Sequence, residues 1–470
     1  MFSLSDWLER AKRVIPSGPP AKRPEPKTPM EKTKALAKRL WKDHQIEVIS
    51  VGTVLAVLII GLGYFTFKRP GDVFNSDAAF NPLDKPTRGT VEWTTYGLDN
   101  QRTRFLPRRG IRPPFKRRWE YTTDGTLTEF SPVMYDGNLY GIDNDAEAFS
   151  LEALTGEVRW KRRVGELSAA SPAFDDGRVF MVNLEPGQAV AVDADNGETI
   201  WERDLPGRSE SSPAVEDGKV VFGCECGKLY ALSVATGKTI WERDLGGALK
   251  GGPAINDGVV FIGDYNGKLS AVNLDDGTIK WQSGSSGGSF GRAGSFYASP
   301  AVAFGRVYIG SKDSRMYSFE EDTGELAWSH STGGEVYASA AIADTEATPP
   351  SVYFGGLDGK VYALDAETGE ERWSEDAGGS VIGAGSVIGQ IFYVANVSKR
   401  ATAGFSTKEG KRVFGVHAGA YNPMISDGKQ LYLTTYAGVV AMKPKPGGSQ
   451  SKEEKAAERE AQGEPAAAGG

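Results

Sequence analysis

Asp358-Gly359-Lys360-Val361-Tyr362-Ala363-Leu364-Asp365-Ala366-Glu367-Thr368-Gly369-Glu370-Glu371-Arg372-Trp373 is the stretch that decides the fold. Val361, Ala363 and Asp365 alternate with Tyr362 and Leu364, the period of two that marks a strand. Glu367-Thr368-Gly369 then reverses the chain, and Gly369 can take positive φ there. A second short strand follows and ends on Trp373.

The same unit recurs along most of the chain. A glycine is followed four residues later by a large aromatic at Gly156/Trp160, Gly197/Trp201, Gly237/Trp241, Gly277/Trp281, Gly324/Trp328, Gly369/Trp373 and Gly410/Phe414. The aromatics lie 40 or 41 residues apart, except for steps of 47 before Trp328 and 45 before Trp373. Upstream of most stands a second signature, Ser-Pro followed by a glycine and an apolar run. It opens at Ser131, Ser171, Ser212 and Ser299, with variants at Gly252 and Asn422 and degenerate copies at Ser339 and Gly383.

Each unit therefore holds four short strands in about 40 residues, which is a propeller blade. One blade cannot cover both its faces, so blades stack. A tryptophan suits the contact because it removes about 150–250 Å² from water. Eight units can be counted, but the eighth has no Gly-x-x-x-Trp strand of its own. One aromatic is left at the other end, Trp119, in Phe115-Lys116-Arg117-Arg118-Trp119-Glu120-Tyr121. That strand is expected to complete the last blade and close the ring, removing edges that would invite aggregation. The expected fold is an all-β, eight-bladed β-propeller of four-stranded blades over residues 93–444. Its blade aromatics are Trp119, Trp160, Trp201, Trp241, Trp281, Trp328, Trp373 and Phe414.

The Leu-Tyr-Ala-Leu-Asp-x-x-Thr-Gly-x-x-x-Trp pattern resembles the repeat of pyrroloquinoline-quinone-type β-propellers. The stretch from Trp93-Thr94-Thr95-Tyr96-Gly97 to Arg104 is similar to the lead-in that such propellers carry before the first blade. The resemblance implies the fold, and three kinds of function: quinone-dependent dehydrogenases, non-catalytic BamB-type propellers of the bacterial envelope, and sensor ectodomains. The dehydrogenases often carry two directly adjacent cysteines near the cofactor, whereas here Glu225 separates Cys224 from Cys226.

The flanks carry a different message. Residues 1–45 hold 11 Lys/Arg against five Asp/Glu, so +6 of a chain total of −7, leaving −13 on the other 425 residues. An acidic propeller argues against nucleic-acid binding. Residues 48–67 contain no charge and as a helix span ~30 Å, the thickness of a bilayer's hydrocarbon core. The expectation is a basic cytoplasmic segment (1–45), a single transmembrane helix (46–67), an extracytoplasmic tether (68–92), the propeller, and a disordered Gly/Ser/Lys/Glu/Ala tail (445–470). Residues 2–15 form an apolar face at Leu4, Trp7, Leu8, Ala11, Val14 and Ile15, fit for an inner-leaflet helix or a fraying tail.

Chemistry-bearing residues are sparse. Cys224 and Cys226 sit on a turn between strands of the third blade, open to a structural role, a local disulfide or half a metal site. His44, His330 and His417 form no cluster in sequence, and no Walker or Rossmann fingerprint appears. Departures from the repeat say more. Between Trp281 and Ser299 the gap is 18 residues instead of the usual 11. The extra residues form a Gly/Ser loop carrying Phe290, Arg292, Phe296 and Tyr297, the composition of a partner-binding surface. Residues 344–351 of the sixth blade are read as a plain polar loop. The functional expectation is a membrane-anchored, extracytoplasmic, non-catalytic scaffold with protein partners at the cell envelope and no cofactor. A pyrroloquinoline-quinone (PQQ)-dependent dehydrogenase and a ligand-sensing ectodomain are the alternatives.

Overall fold

Each short strand is apolar where it meets its neighbours and polar at its turns, so strands of four to a unit pair in sequence order. In the computed structural model they form eight sheets, one per blade, in which the four blade strands are antiparallel. The structure describes residues 72–86, 91–108, 110–126, 131–285, 294–419, 421 and 424–445, together with Lys34 and Lys38. The chain divides into two units, Met1–Phe67 and Lys68–Gly470, and the second holds the propeller. The expected amphipathic segment 2–15, transmembrane helix and C-terminal tail lie outside the described residues. Among the described residues no helix is long and apolar enough to cross a membrane.

The third blade shows the plan. Its strands are Ala214–Glu216, Lys219–Gly223, Lys228–Ser233 and Thr239–Asp244, from the channel outwards. The connections from an outer strand to the next inner strand, and the turns between second and third strands, stand on one face, here the upper. The other turns stand on the lower face. In the outer strand Thr239 pairs with Leu232 and Trp241 with Ala231, which leaves Ile240 as an extra residue. Such a register shift occurs beside the aromatic in all eight blades. It turns the indole toward the next blade and puts Ile200, Ile240 and Val413 outside.

The eighth blade is closed as the orphan strand implies. Phe115–Thr122 pairs antiparallel with Gly438–Pro444, so N- and C-terminal parts of the ring share one sheet. Residues 344–351 are not a plain loop. Strands Ala341–Thr345 and Thr348–Gly355 run almost to the tip of a hairpin, tied by the Thr345 and Thr348 hydroxyls at 2.6 Å. The two prolines there sit at positions 349 and 350 without breaking the strand.

Part of the expected tether is a docked strap. Val73–Phe74 adds a fifth strand outside Leu326–Ser331 of blade five. Asp72 meets Arg315 at 3.3 Å, Phe80 packs on Phe304 at 5.5 Å, and Lys85 reaches Asp344 of blade six at 2.5 Å. The buried Arg306 donates to the carbonyls of Ala78 and Ala79.

Blades hold one another through their tryptophans. The Trp201 indole donates to the Val234 carbonyl of the next blade at 2.9 Å and lies flat against Gly237. Trp119, Trp160, Trp241, Trp281, Trp328 and Trp373 repeat this onto Ala153, Ala194, Leu274, Glu321, Ala366 and Thr407. A Cβ on Gly237 would fall 2.6 Å from the Trp201 ring, whereas one on Gly177 would meet nothing within 4 Å, at nearly the same φ (+66° and +72°). Both glycines relieve the left-handed backbone, and only Gly237 also makes room for a neighbour. Gly237→Ala is therefore expected to destabilise the ring more than Gly177→Ala, by about 1–3 kcal/mol of overpacking. Denaturant unfolding of the two variants checks it, and equal losses would show that the ring contact carries no constraint.

Candidate functional site

An eight-bladed ring leaves a channel on its axis, and this chain treats the two ends differently. The lower end is closed by residues 93–106. By backbone or side chain they reach the inner strand of every blade. Trp93 exchanges backbone bonds with Met134, and the amides of Phe174, Ile255, Val302, Ile342 and Val387 donate to Thr94, Asn100, Gln101, Thr103 and Arg104. Asn100 Nδ2 reaches the Val215 carbonyl and Trp93 Nε1 the Ser426 carbonyl, both at 2.7 Å. Inside this plug Arg102 and Arg104 are fully buried. Arg102 donates to the carbonyls of Pro253 at 2.5 Å and Ser212 at 2.7 Å, and Arg104 lies over the Tyr96 ring at 4.7 Å. Burial pushes the pKa of both guanidiniums down, and it raises that of Asp99 against the bonds donated by Thr103.

Above the plug the inner strands are laced by serines. The Ser131 amide donates to Ser171 Oγ and the Ser171 amide to Ser212 Oγ, both at 3.0 Å. Gly252 and Ser299 do the same to Ser299 and Ser339 at 2.9 Å. The serine of the Ser-Pro signature is thus a blade-to-blade tie.

The upper end opens as a funnel lined by Glu210, Lys250, Tyr297, Tyr337 and Tyr421, with Tyr96 at its floor. Lys250 bridges Glu210 at 2.7 Å and Glu225 at 3.0 Å. Burial lowers the Lys250 pKa, but those two carboxylates outweigh it and the net shift is upward. Tyr297 meets Tyr265 and Tyr337 edge-on at 6.3 and 5.3 Å, and its hydroxyl lies 3.4 Å from Glu210. Lys312 sits over the rings of Tyr265 and Tyr337 at 5.5 and 5.4 Å.

Of the four residues expected at a partner surface, Phe290 and Arg292 lie outside the described residues. Phe296 is fully buried, its ring edge-on to Tyr317 at 5.9 Å, so it packs blade five and offers no free face. Of the two described, Tyr297 reaches the funnel. Glu210, Lys250 and Tyr337 were not singled out from the sequence, yet a signal existed. Ala169, Glu210, Lys250, Tyr297 and Tyr337 each stand two residues before the start of an inner-strand signature, and all line the funnel. Cys224 and Cys226 are joined as a disulfide at the upper rim.

These features define a propeller built on the pyrroloquinoline-quinone-like repeat. The family model described as outer membrane protein assembly factor BamB matches residues 83–248 and 225–453, and the chain belongs to that family. The structure of BamB from Moraxella catarrhalis is similar over 72% of this chain and 100% of its own, with a TM-score of 0.58 and 18% identity. Quinohemoprotein alcohol dehydrogenase ADHIIG from Pseudomonas putida is similar over 81% and 85%, with a TM-score of 0.64 and 15% identity. The quinohemoprotein alcohol dehydrogenase of Comamonas testosteroni gives 78% and 82%, a TM-score of 0.63 and 13% identity. At such identities the likeness is one of fold. No curated protein matches the chain.

A second polar cleft lies on the lower face, between the strap and blades four and five. Glu321 there accepts from Asn256 at 2.7 Å, and Asn256 accepts from Gln101 of the plug at 2.7 Å. Burial, then the charges of Asp84, Asp257 and Asp322, raises the Glu321 carboxyl from its ordinary 4.5 to about 7. An acid whose pKa is raised by folding contributes stability that is complete below 4.5 and lost as pH climbs through about 7. The melting temperature of the chain is expected to fall from roughly pH 5 to roughly pH 8 by more than that of Glu321→Gln, and parallel pH profiles would remove Glu321 as the cause.

Proposed function

We propose that this chain is a non-catalytic, protein-binding scaffold, anchored in the cell membrane by residues 46–67 and holding its propeller outside the cytoplasm of a bacterial envelope. The observation that carries the reading is the Glu210–Lys250–Glu225 triad at the funnel. Membership of the assembly-factor family supports it. The uncharged segment behind a basic front supports the anchor.

The dehydrogenase relatives raise PQQ as a ligand for the same funnel. PQQ is a planar tricarboxylate, and in this class it works beside a divalent cation. Among the described lining residues Lys250 is the one cation, and both its carboxylate partners compete with any ligand anion. Among the described residues no group of three or more His, Cys, Asp or Glu is disposed to hold a metal ion. The described donor set is a poor match for PQQ, which supports the non-catalytic reading. The tyrosines instead offer rigid amphipathic area of the kind that anchors protein interfaces.

A photo-cross-linking side chain at Tyr337 in intact envelopes is expected to trap a discrete protein adduct, and one at the outer-rim position Lys238 to trap none. Protease added to whole cells is expected to remove the propeller and spare the N-terminal segment. Equal trapping at both positions would overturn the docking surface, and the reverse protection pattern would overturn the topology. Dye-linked alcohol oxidation by the purified chain given PQQ and Ca²⁺ would move the assignment to the dehydrogenases.

A further inference from the structure

The upper-face turn between second and third strands is tied in the same way in blades one and four. Asp143 Oδ1 accepts from the Glu147 amide and Asp264 Oδ1 from the Lys268 amide, both at 2.9 Å. Each aspartate immediately follows the second strand. In blade three that position is Cys224, following Lys219–Gly223, and the tie is the bond to Cys226. A carboxylate cap does not respond to thiols, whereas a disulfide does.

The two cysteines differ in access. Cys224 is fully buried in the packing between blades, while Cys226 is exposed. The turn also pegs both connections that supply the funnel. The Glu225 amide donates to the Arg208 carbonyl at 2.9 Å, and the Leu249 amide to the Cys224 carbonyl at 3.1 Å. Between the cysteines, the Glu225 side chain holds Lys250 at 3.0 Å. Gly207 lies against the pair, since a Cβ there would meet Cys224 Sγ at 3.3 Å.

We propose that Cys226 is a thiol-exchange site, and that opening its bond to Cys224 releases Glu225 and Leu249 and so repositions Lys250 at the mouth of the channel. The co-reactant is a dithiol. One of its thiolates attacks Cys226 Sγ, forming a mixed disulfide, and the electron pair of the broken bond leaves on Cys224 Sγ. The Cys226 amide, 3.0 Å from Cys224 Sγ, donates to that thiolate. The second thiolate of the dithiol then displaces Cys226. The dithiol ends as a disulfide, and the protein gains two electrons and two protons as two thiols. Attack falls on Cys226 because access decides which sulfur is reached. The device works whatever the funnel binds.

The test uses the folded full-length chain and dithiothreitol. Reduction followed by timed alkylation and peptide mass spectrometry is expected to label Cys226 at least about tenfold faster than Cys224. Amide exchange of residues 245–253 is expected to rise on reduction, while that of the blade-six strand Lys360–Asp365 stays fixed. The double variant Cys224→Asp/Cys226→Asn copies the blade-four turn, Asp264-Tyr265-Asn266-Gly267, and is expected to fold and to ignore the dithiol. Glu225→Gln, oxidised, is expected to reproduce part of the exchange gain around Lys250. A bond that opens only when the protein melts, equal labelling of both sulfurs, or reduction without change at 245–253 would overturn the proposal.

Discussion

The ring rests on one contact used over and over: an indole laid on the glycine turn of the next blade, its N–H on that blade's carbonyl. The contact runs head to tail. Such a contact makes a closed ring only if its rotation returns to the start, and otherwise a helix. Here it returns after eight blades, with Trp119 on Gly156. The one junction without an indole is where the turn is missing. Blade eight draws its last two strands from opposite ends of the chain, so no glycine turn or carbonyl awaits, and Phe414 meets Phe115 edge-on at 5.3 Å. The exception follows from the same geometry as the rule.

Closure completes the eighth sheet but leaves each blade with an outer strand whose edge must be managed. These strands manage the exposure with charge, as in Val158–Arg163, Thr199–Asp204 and Glu371–Asp376. Leu326–Ser331 of blade five, Leu-Ala-Trp-Ser-His-Ser, carries no Asp, Glu, Lys or Arg. It is also the outer strand that the strap covers. Sequence and packing agree: the edge that lacks electrostatic protection has a physical cover.

The fold was legible because a repeat averages over local ambiguity. One blade is four weak strand signals, while eight in phase leave little choice. The blade boundaries, the aromatic register and the role of Trp119 all came from spacing. What was not legible came from single-copy features. Residues 72–86 look like a linker because the few apolar groups that pack, Ala78 and Phe80, bind to surfaces more than 200 residues away. Residues 344–351 look like a loop because proline at two positions masks a hairpin. The aromatic insertion has the composition of a protein surface, yet of its two described residues Phe296 is core and Tyr297 reaches the channel. The funnel itself was readable by a different route, aligning the units and asking which column stands two residues before each inner strand.

The shared sheet of blade eight has a consequence for how the chain is made. The strand Phe115–Thr122 leaves the ribosome long before its partner Gly438–Pro444. Until then the nascent chain is an arc with a raw edge at each end. Any product that stops short, by a premature stop codon or a proteolytic nick that sheds the last strand, keeps both edges open. Such a fragment leaves the Phe115–Thr122 strand without its sheet, a target for proteases and chaperones that the pairing in the finished ring removes. The joint therefore works as a receipt for a complete ring, issued only once Gly438–Pro444 has been made.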